Sequence, residues 1–215
     1  MSKIAPDYQC AWRRICQRQC DRLGRSKQTH WRAAVYNLDY TLVPALKLFG
    51  KDGEKLVQVQ VDELTDTVLY FKQHANQYNI DPDKIILLGY SSGGYVVAAS
   101  TLKLATQGQS VWGQVIAYGF IKDALERYNA LPPQSQKLTN TLFVFTENKD
   151  PISKGIRPYY ALLAQKGVNV SALEMDKARH AFMEEFAPDG DSEQSAYVAT
   201  AEAYIGNWIK QLPRN

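Results

Sequence analysis

The chain is poor in three things: it has three cysteines and three histidines among 215 residues, and no long apolar run. The cysteines, Cys10, Cys16 and Cys20, all lie near the start. An odd number so closely spaced makes a poor disulfide framework. Cys16 and Cys20 can share a helical face, but no histidine lies near them and their spacing suits none of the usual zinc sites. They read as free thiols of a reducing compartment. The opening "MSKIAPDYQCAWRRICQRQC" lacks the apolar core of a secretory signal, which points to the cytoplasm. No stretch approaches the roughly 18 apolar residues of a membrane span, so no membrane partner is expected. A net charge of +3 is too small to argue for nucleic acid. No Gly/Ser-rich or Pro-rich linker, repeat or low-complexity segment divides the sequence, so residues 1–215 read as one domain.

What is present is an alternation of helical and extended patterns. Residues 8–24 read as a helix whose Arg13, Arg14, Arg18 and Arg22, with Arg25 and Lys27 beyond, form a basic face. Such a face is either solvated surface or a patch for an anionic partner. "WRAAVYNLDY" reads as a strand, and "VDELTDTVLYFKQHANQY" as a helix with Val61, Leu64, Val68 and Phe71 on one side. "KIILLGY" is an apolar run of the kind expected for a strand covered on both faces. A helix follows over about 92–105, then the strands "VWGQVIAYGF" and "NTLFVFTE", with a small helix around "IKDALERYNAL" between them. "SKGIRPYYALLAQKG" reads as a helix stopped by Gly167, "VNVSALEMD" as a strand, and 192–212 as a final helix. This order predicts an α/β domain with a mostly parallel sheet of about five strands.

The join at "IILLGYSSGGYVVAAS" carries chemistry. Gly89-Tyr90-Ser91-Ser92-Gly93 fits G-x-S-x-G between a strand and a helix, with Gly94 as a third glycine. On so sharp a turn a serine hydroxyl stands clear of the sheet, while glycines let strand and helix backbones approach. The following helix aims its first N–H groups at the same place and favours negative charge there. Ser91 is therefore the candidate nucleophile, and Ser92 contributes its backbone N–H as an oxyanion donor.

A serine needs a base, and there are three histidines to choose from. His30 precedes the first strand; His74 lies within an amphipathic helix beside Gln73 and Asn76. His180 follows the last strand, where a parallel sheet places functional groups. The base in turn needs a carboxylate to fix its tautomer. Asp150 in "TENKDPISKG" is favoured, with Glu147 and Asp176 as rivals.

Serine, acid and histidine in that order, in "NIDPDKIILLGYSSGGYVVAAS", "TENKDPIS" and "ARHAF", resemble the three catalytic segments of the esterase/lipase and dienelactone-hydrolase-like branch of the α/β-hydrolases. Tyr40, Leu42 and Pro44 in "AVYNLDYTLVP" resemble the turn that precedes the nucleophile region there. The resemblance runs from about residue 31 onward and implies a three-layer fold. His180 is followed by Ala181, where that family more often has glycine, and then by Phe182 as in the family. The family's strand and His-Gly-Gly-Gly-like oxyanion loop find no counterpart ahead of the basic helix, so the chain reads as N-terminally shortened, or as starting upstream of Met1. Either "WRAAVYNLDY" pairs directly with "KIILLGY", or the sheet rearranges; "NLDYTL" is the segment able to supply a substitute donor.

Two functions follow from this reading. One is a serine hydrolase of small carboxylic esters, carboxylesterase-like, with Tyr90 and Phe182 as candidate cleft walls and no metal or organic cofactor. The other is a weak or inactive relative that serves as a binding module. Retention of all three catalytic residue types in order favours the enzyme.

Overall fold

In the computed structural model the described residues are 35–41, 53–119, 121, 139–146, 150, 153, 155–183 and 192–213. The chain divides into two compact units, Met1–Asp39 and Tyr40–Asn215, and every element below belongs to the second. The basic helix, the three cysteines, His30, Leu42, Pro44, Glu147 and the small helix expected over 122–131 lie outside the described residues.

Two helices, α1 (Gly53–Gln73) and the short α2 (Ala75–Tyr78), lead into strand β1 (Ile86–Tyr90). Then come α3 (Ser92–Thr106), β2 (Gly113–Ala117), β3 (Asn140–Phe145), α4 (Ile156–Gln165), β4 (Val170–Glu174) and α5 (Ser192–Gln211). The strands pair in chain order, β1-β2-β3-β4, and every pairing is parallel. Leu88 opposes Val115, Val115 opposes Leu142, and Leu142 opposes Ser171.

The period of two along each strand sorts the core into two layers. Leu87, Ile116, Phe143 and Phe145 point to one face and pack with Val97, Leu104, Ile156, Tyr159 and Leu163 of α3 and α4. Val115, Ala117, Leu142 and Val144 point to the other and pack against α5. Along α5 the buried residues Ala201, Ile205 and Trp208, with Leu212 just past its end, recur at helical spacing as an apolar stripe. Gly113 makes room for that stripe, since a β-carbon there would stand 3.0 Å from the Trp208 ring. The result is three layers, helix on sheet on helix, as expected for this fold class.

Helix α3 is buried along most of its length because α1 covers its outer side through Val61, Val96 and Ala99. The Ser100 hydroxyl donates to the Val61 carbonyl at 3.2 Å, and Lys103 pairs with Asp62 at 2.7 Å. The Lys103 ammonium, with the Gln58 amide, holds the Asp62 carboxyl below its usual value.

One expected strand is not seen among the described residues. Residues 35–41 carry no regular structure, so the described residues hold four strands rather than about five. Consecutive Val35 and Tyr36 are 54% and 65% exposed, whereas a strand on a core would bury one of the two. Thr41 spends its backbone on side chains instead of a ladder. Its N–H donates to Glu63 Oε2 at 2.7 Å, and its carbonyl accepts from Gln60 Nε2 at 2.8 Å. The apolar run of β1 is also less covered than expected. Among the described residues β1 is an end strand with only alternate residues buried, while β2 is buried throughout.

Candidate active site

All three sequence-selected side chains follow the carboxyl ends of strands, where loops diverge and leave a crevice. Ser91 follows β1, Asp150 follows β3 and His180 follows β4. They meet. Ser91 Oγ lies 2.8 Å from His180 Nε2, and His180 Nδ1 lies 2.7 Å from Asp150 Oδ2. A carboxylate only accepts, so the imidazole carries its proton on Nδ1 and turns the Nε2 lone pair to the hydroxyl. Asp150 is 1% exposed and the His180 side chain 28%, a gradient from buried acid to accessible base. Of the rival acids, Asp176 is exposed. His74, between α1 and α2, stacks on Tyr70 and donates from Nδ1 to the Tyr70 carbonyl at 2.8 Å.

Ser91 is presented by strain. Its φ of 50° and ψ of −119° belong to the first central position of a type II′ turn, which glycine normally fills. Glycines make this bend feasible, in a different division of labour from the simple motif. A β-carbon on Gly89 would collide with the Gly93 carbonyl oxygen. One on Gly94 would stand 2.8 Å from Gly119 Cα, so Gly94 lets α3 close on the end of β2. Among the described residues, one on Gly93 would meet the Tyr40 hydroxyl, at 3.8 Å. The Ser91 N–H still bonds the Ala117 carbonyl at 3.0 Å, which ties the turn to the sheet.

Strain of this kind costs on the order of 1–3 kcal/mol, partly offset in a glycine variant by unfolded-chain entropy. Both Ser91→Gly and Ser91→Ala remove the hydroxyl, so their difference isolates the backbone. Ser91→Gly is expected to be the more stable by about 1–2 kcal/mol in urea denaturation. A Ser91→Gly variant less stable than Ser91→Ala would show that the turn is unstrained.

The histidine has the longer journey. At about 4.8 Å between strands, the end of β4 lies roughly 14 Å from the end of β1. The loop after β4 must therefore run back over the sheet end, and it does so on buried packing. Met175, Ala178, Phe182 and Met183 join the α5-side core. Gln194 of α5 accepts the Arg179 N–H at 3.3 Å. Tyr118, at the end of β2 with φ 39° and fully buried, fills the space beneath. Its ring meets His180 edge to face at 5.4 Å, Phe182 at 5.4 Å and Tyr90 at 5.9 Å. Ala181 occupies φ 62°, the left-handed region that favours glycine, at the position where the resemblance suggested glycine.

The candidate walls separate. Phe182 is 3% exposed and packs on Tyr118, so it supports the histidine loop from within the core. Tyr90 is half-buried. Sequence reading missed Tyr118, which looks like one more strand residue, and Gln194, which lies in a helix remote in sequence. It also passed over Ser153, although "DPIS" had been singled out. The Ser153 hydroxyl donates to Asp150 Oδ2 at 2.5 Å.

At the start of α3 the first helical N–H groups have no intrahelical acceptor. Ser92 and Gly93 supply them, next to the Ser91 hydroxyl. The segment bearing Tyr40 is fastened to α1, because Glu63 also accepts the Thr41 hydroxyl at 2.6 Å. Among the described residues no three His, Cys, Asp or Glu side chains gather so as to hold a metal ion. Nor is any helix among them long and apolar enough to cross a membrane.

Comparison with known proteins agrees with this architecture. The chain is 23% identical to an arylesterase of Saccharolobus solfataricus over 76% of this chain and 62% of that one, so it spans less than two thirds of that relative. An esterase of Pyrobaculum calidifontis superposes with a TM-score of 0.64 at 20% identity, over 91% of this chain and 69% of that one. Carboxyl esterase 2 of the mycorrhizal fungus Tuber melanosporum superposes with a TM-score of 0.65 at 18% identity, over 95% and 73%. At such identities the structural likeness is one of fold. Residues 15–141, most of the chain, match the family model described as the alpha/beta hydrolase fold, and the chain belongs to that family.

Proposed function

We propose that this chain is a serine hydrolase acting on small carboxylic esters through an acyl-enzyme. The observation that carries the proposal is the continuous hydrogen-bonded line from Ser91 Oγ through His180 to Asp150 Oδ2. Ser91 Oγ attacks the ester carbonyl and passes its proton to His180 Nε2. Asp150 accepts from Nδ1 throughout and stabilises the imidazolium that forms. The tetrahedral intermediate collapses as His180 returns the proton to the departing alcohol. Water then repeats the sequence and frees the acid.

The oxyanion rests on the Ser92 N–H, and Tyr40 serves as a second donor. Its hydroxyl lies 3.8 Å from where a Gly93 β-carbon would sit, at the first turn of α3. The Gln60 and Glu63 contacts to Thr41 hold the segment in place without help from a sheet. Loss of one oxyanion donor costs about 10²–10³ in kcat. Tyr40→Phe is expected to show that loss with KM changed little, and unaltered kcat would remove Tyr40 from the mechanism.

The connection between β2 and β3 is too short to form a large cap, which favours small acyl groups beside half-buried Tyr90. The test is a series of nitrophenyl esters. Acetate and butyrate should be hydrolysed with higher kcat/KM than decanoate. An absence of hydrolysis across the whole series would contradict the reading.

A further inference from the structure

We infer that Ser153 is a positioning residue that holds the Asp150 carboxylate for His180; the inference rests on the proposed roles of Ser91, Asp150 and His180. Ser153 is fully buried and Asp150 is 1% exposed. The Ser153 hydroxyl donates to Asp150 Oδ2 at 2.5 Å, and the Ser153 N–H donates to the Asp150 carbonyl at 3.2 Å. One residue thus fastens both the side chain and the backbone of the acid. Oδ2 is also the oxygen that faces His180 Nδ1 at 2.7 Å. It therefore receives two donors from two directions.

The second donor matters because a carboxylate is a soft rotor about its last torsion. Without the Ser153 hydroxyl, Oδ2 has one donor fewer to hold its orientation toward the imidazole. An O–H donated to a charged oxygen is short and strong, and a second fixed donor removes that freedom. Downstream, a β-carbon on Gly155 would stand 2.6 Å from the Ile121 carbonyl oxygen, so the acid's segment is also pressed against the chain beyond β2. Ser153 transfers no proton. It keeps the acceptor aligned while the imidazole gains and loses charge.

A buried serine could equally serve packing alone, and a double-mutant cycle separates the two roles. The variants are Ser153→Ala, Ser153→Thr, Asp150→Asn and Ser153→Ala with Asp150→Asn, assayed on nitrophenyl acetate with melting temperatures alongside. Misalignment at a reacting group costs about 10²-fold, so Ser153→Ala is expected to lower kcat by roughly that factor and leave KM within about threefold. Ser153→Thr keeps the hydroxyl and should restore most of the loss. Added to Asp150→Asn, Ser153→Ala should change kcat by less than about threefold, because its partner is already gone. Full kcat in Ser153→Ala, or the same fold loss on top of Asp150→Asn, would overturn the inference. Should Ser153→Ala fail to fold, Ser153→Cys preserves the shape with a weaker donor; reduced kcat supports the inference and wild-type kcat overturns it. An inert Asp150→Asn beside a fully active Ser153→Ala defeats this inference alone. A fully active Asp150→Asn defeats the triad reading and leaves Ser153 nothing to position.

Discussion

Ser91→Ala should lower kcat for nitrophenyl acetate by roughly 10⁵–10⁶-fold, and His180→Ala should do the same. The two losses are similar because the residues act as one unit. The hydroxyl is a poor nucleophile without a base 2.8 Å away, and the base has nothing to deprotonate without the hydroxyl. Combining the two substitutions should therefore cost little beyond either alone. A residual rate should survive in all three variants, since oxyanion donors and binding still act on the ester. KM should stay close to the wild-type value, because the substitution removes an interaction made in the transition state. Rapid mixing should also show a burst of nitrophenol in the wild type and none in Ser91→Ala. Retention of more than a tenth of the activity by Ser91→Ala would place the nucleophile elsewhere.

The second large effect belongs to the acid. Asp150→Asn should reduce kcat by about 10⁴-fold while the fold persists. An amide at this position can present N–H where a carboxylate only accepts. The imidazole then loses its reason to keep a proton on Nδ1, and Nε2 no longer offers its lone pair to Ser91. Stabilisation of the imidazolium is lost as well. Glu147→Gln provides the control and should leave kcat within about threefold, because Asp150 and not Glu147 is the proposed acid. Were Glu147→Gln to carry the large loss, the acid would be Glu147 and the Asp150 contact would be structural.

The proposed nucleophile was legible because its requirements are local. A strand, a strained residue and a helix start lie within one short stretch, and each leaves a mark on composition. Of the three glycines, Gly89 and Gly94 are the ones that backbone contact demands, whereas a β-carbon on Gly93 would make an ordinary contact with the Tyr40 hydroxyl. The proposed base was legible for a different reason. Few histidines were available, and only one followed a strand of the parallel set. The acid could be favoured but not isolated, because choosing among Asp150, Glu147 and Asp176 depends on the path of the chain after β3.

Features that depend on distant packing left no local signal. Tyr118 sits beneath the imidazole because β2 lies between the strands that carry the serine and the acid, a fact of sheet order. Phe182 looked like a cleft wall because it follows the histidine, yet the returning loop turns it into the core. The strand expected over 31–40 rested on apolar content, but its described residues 35–40 carry no regular structure, and Val35 and Tyr36 are exposed. Serines are common enough that Ser153 could not be distinguished from any other hydroxyl until its distance to Asp150 was known.

The central claim is that an imidazole brought over from β4 makes the Ser91 hydroxyl nucleophilic. The most direct measurement is peptide mass spectrometry after treatment with a fluorophosphonate, comparing the wild type with His180→Ala. The account predicts a single stoichiometric phosphonyl adduct on Ser91 in the wild type, forming orders of magnitude more slowly in His180→Ala. No adduct on Ser91, or one that forms at the same rate in both proteins, would contradict it.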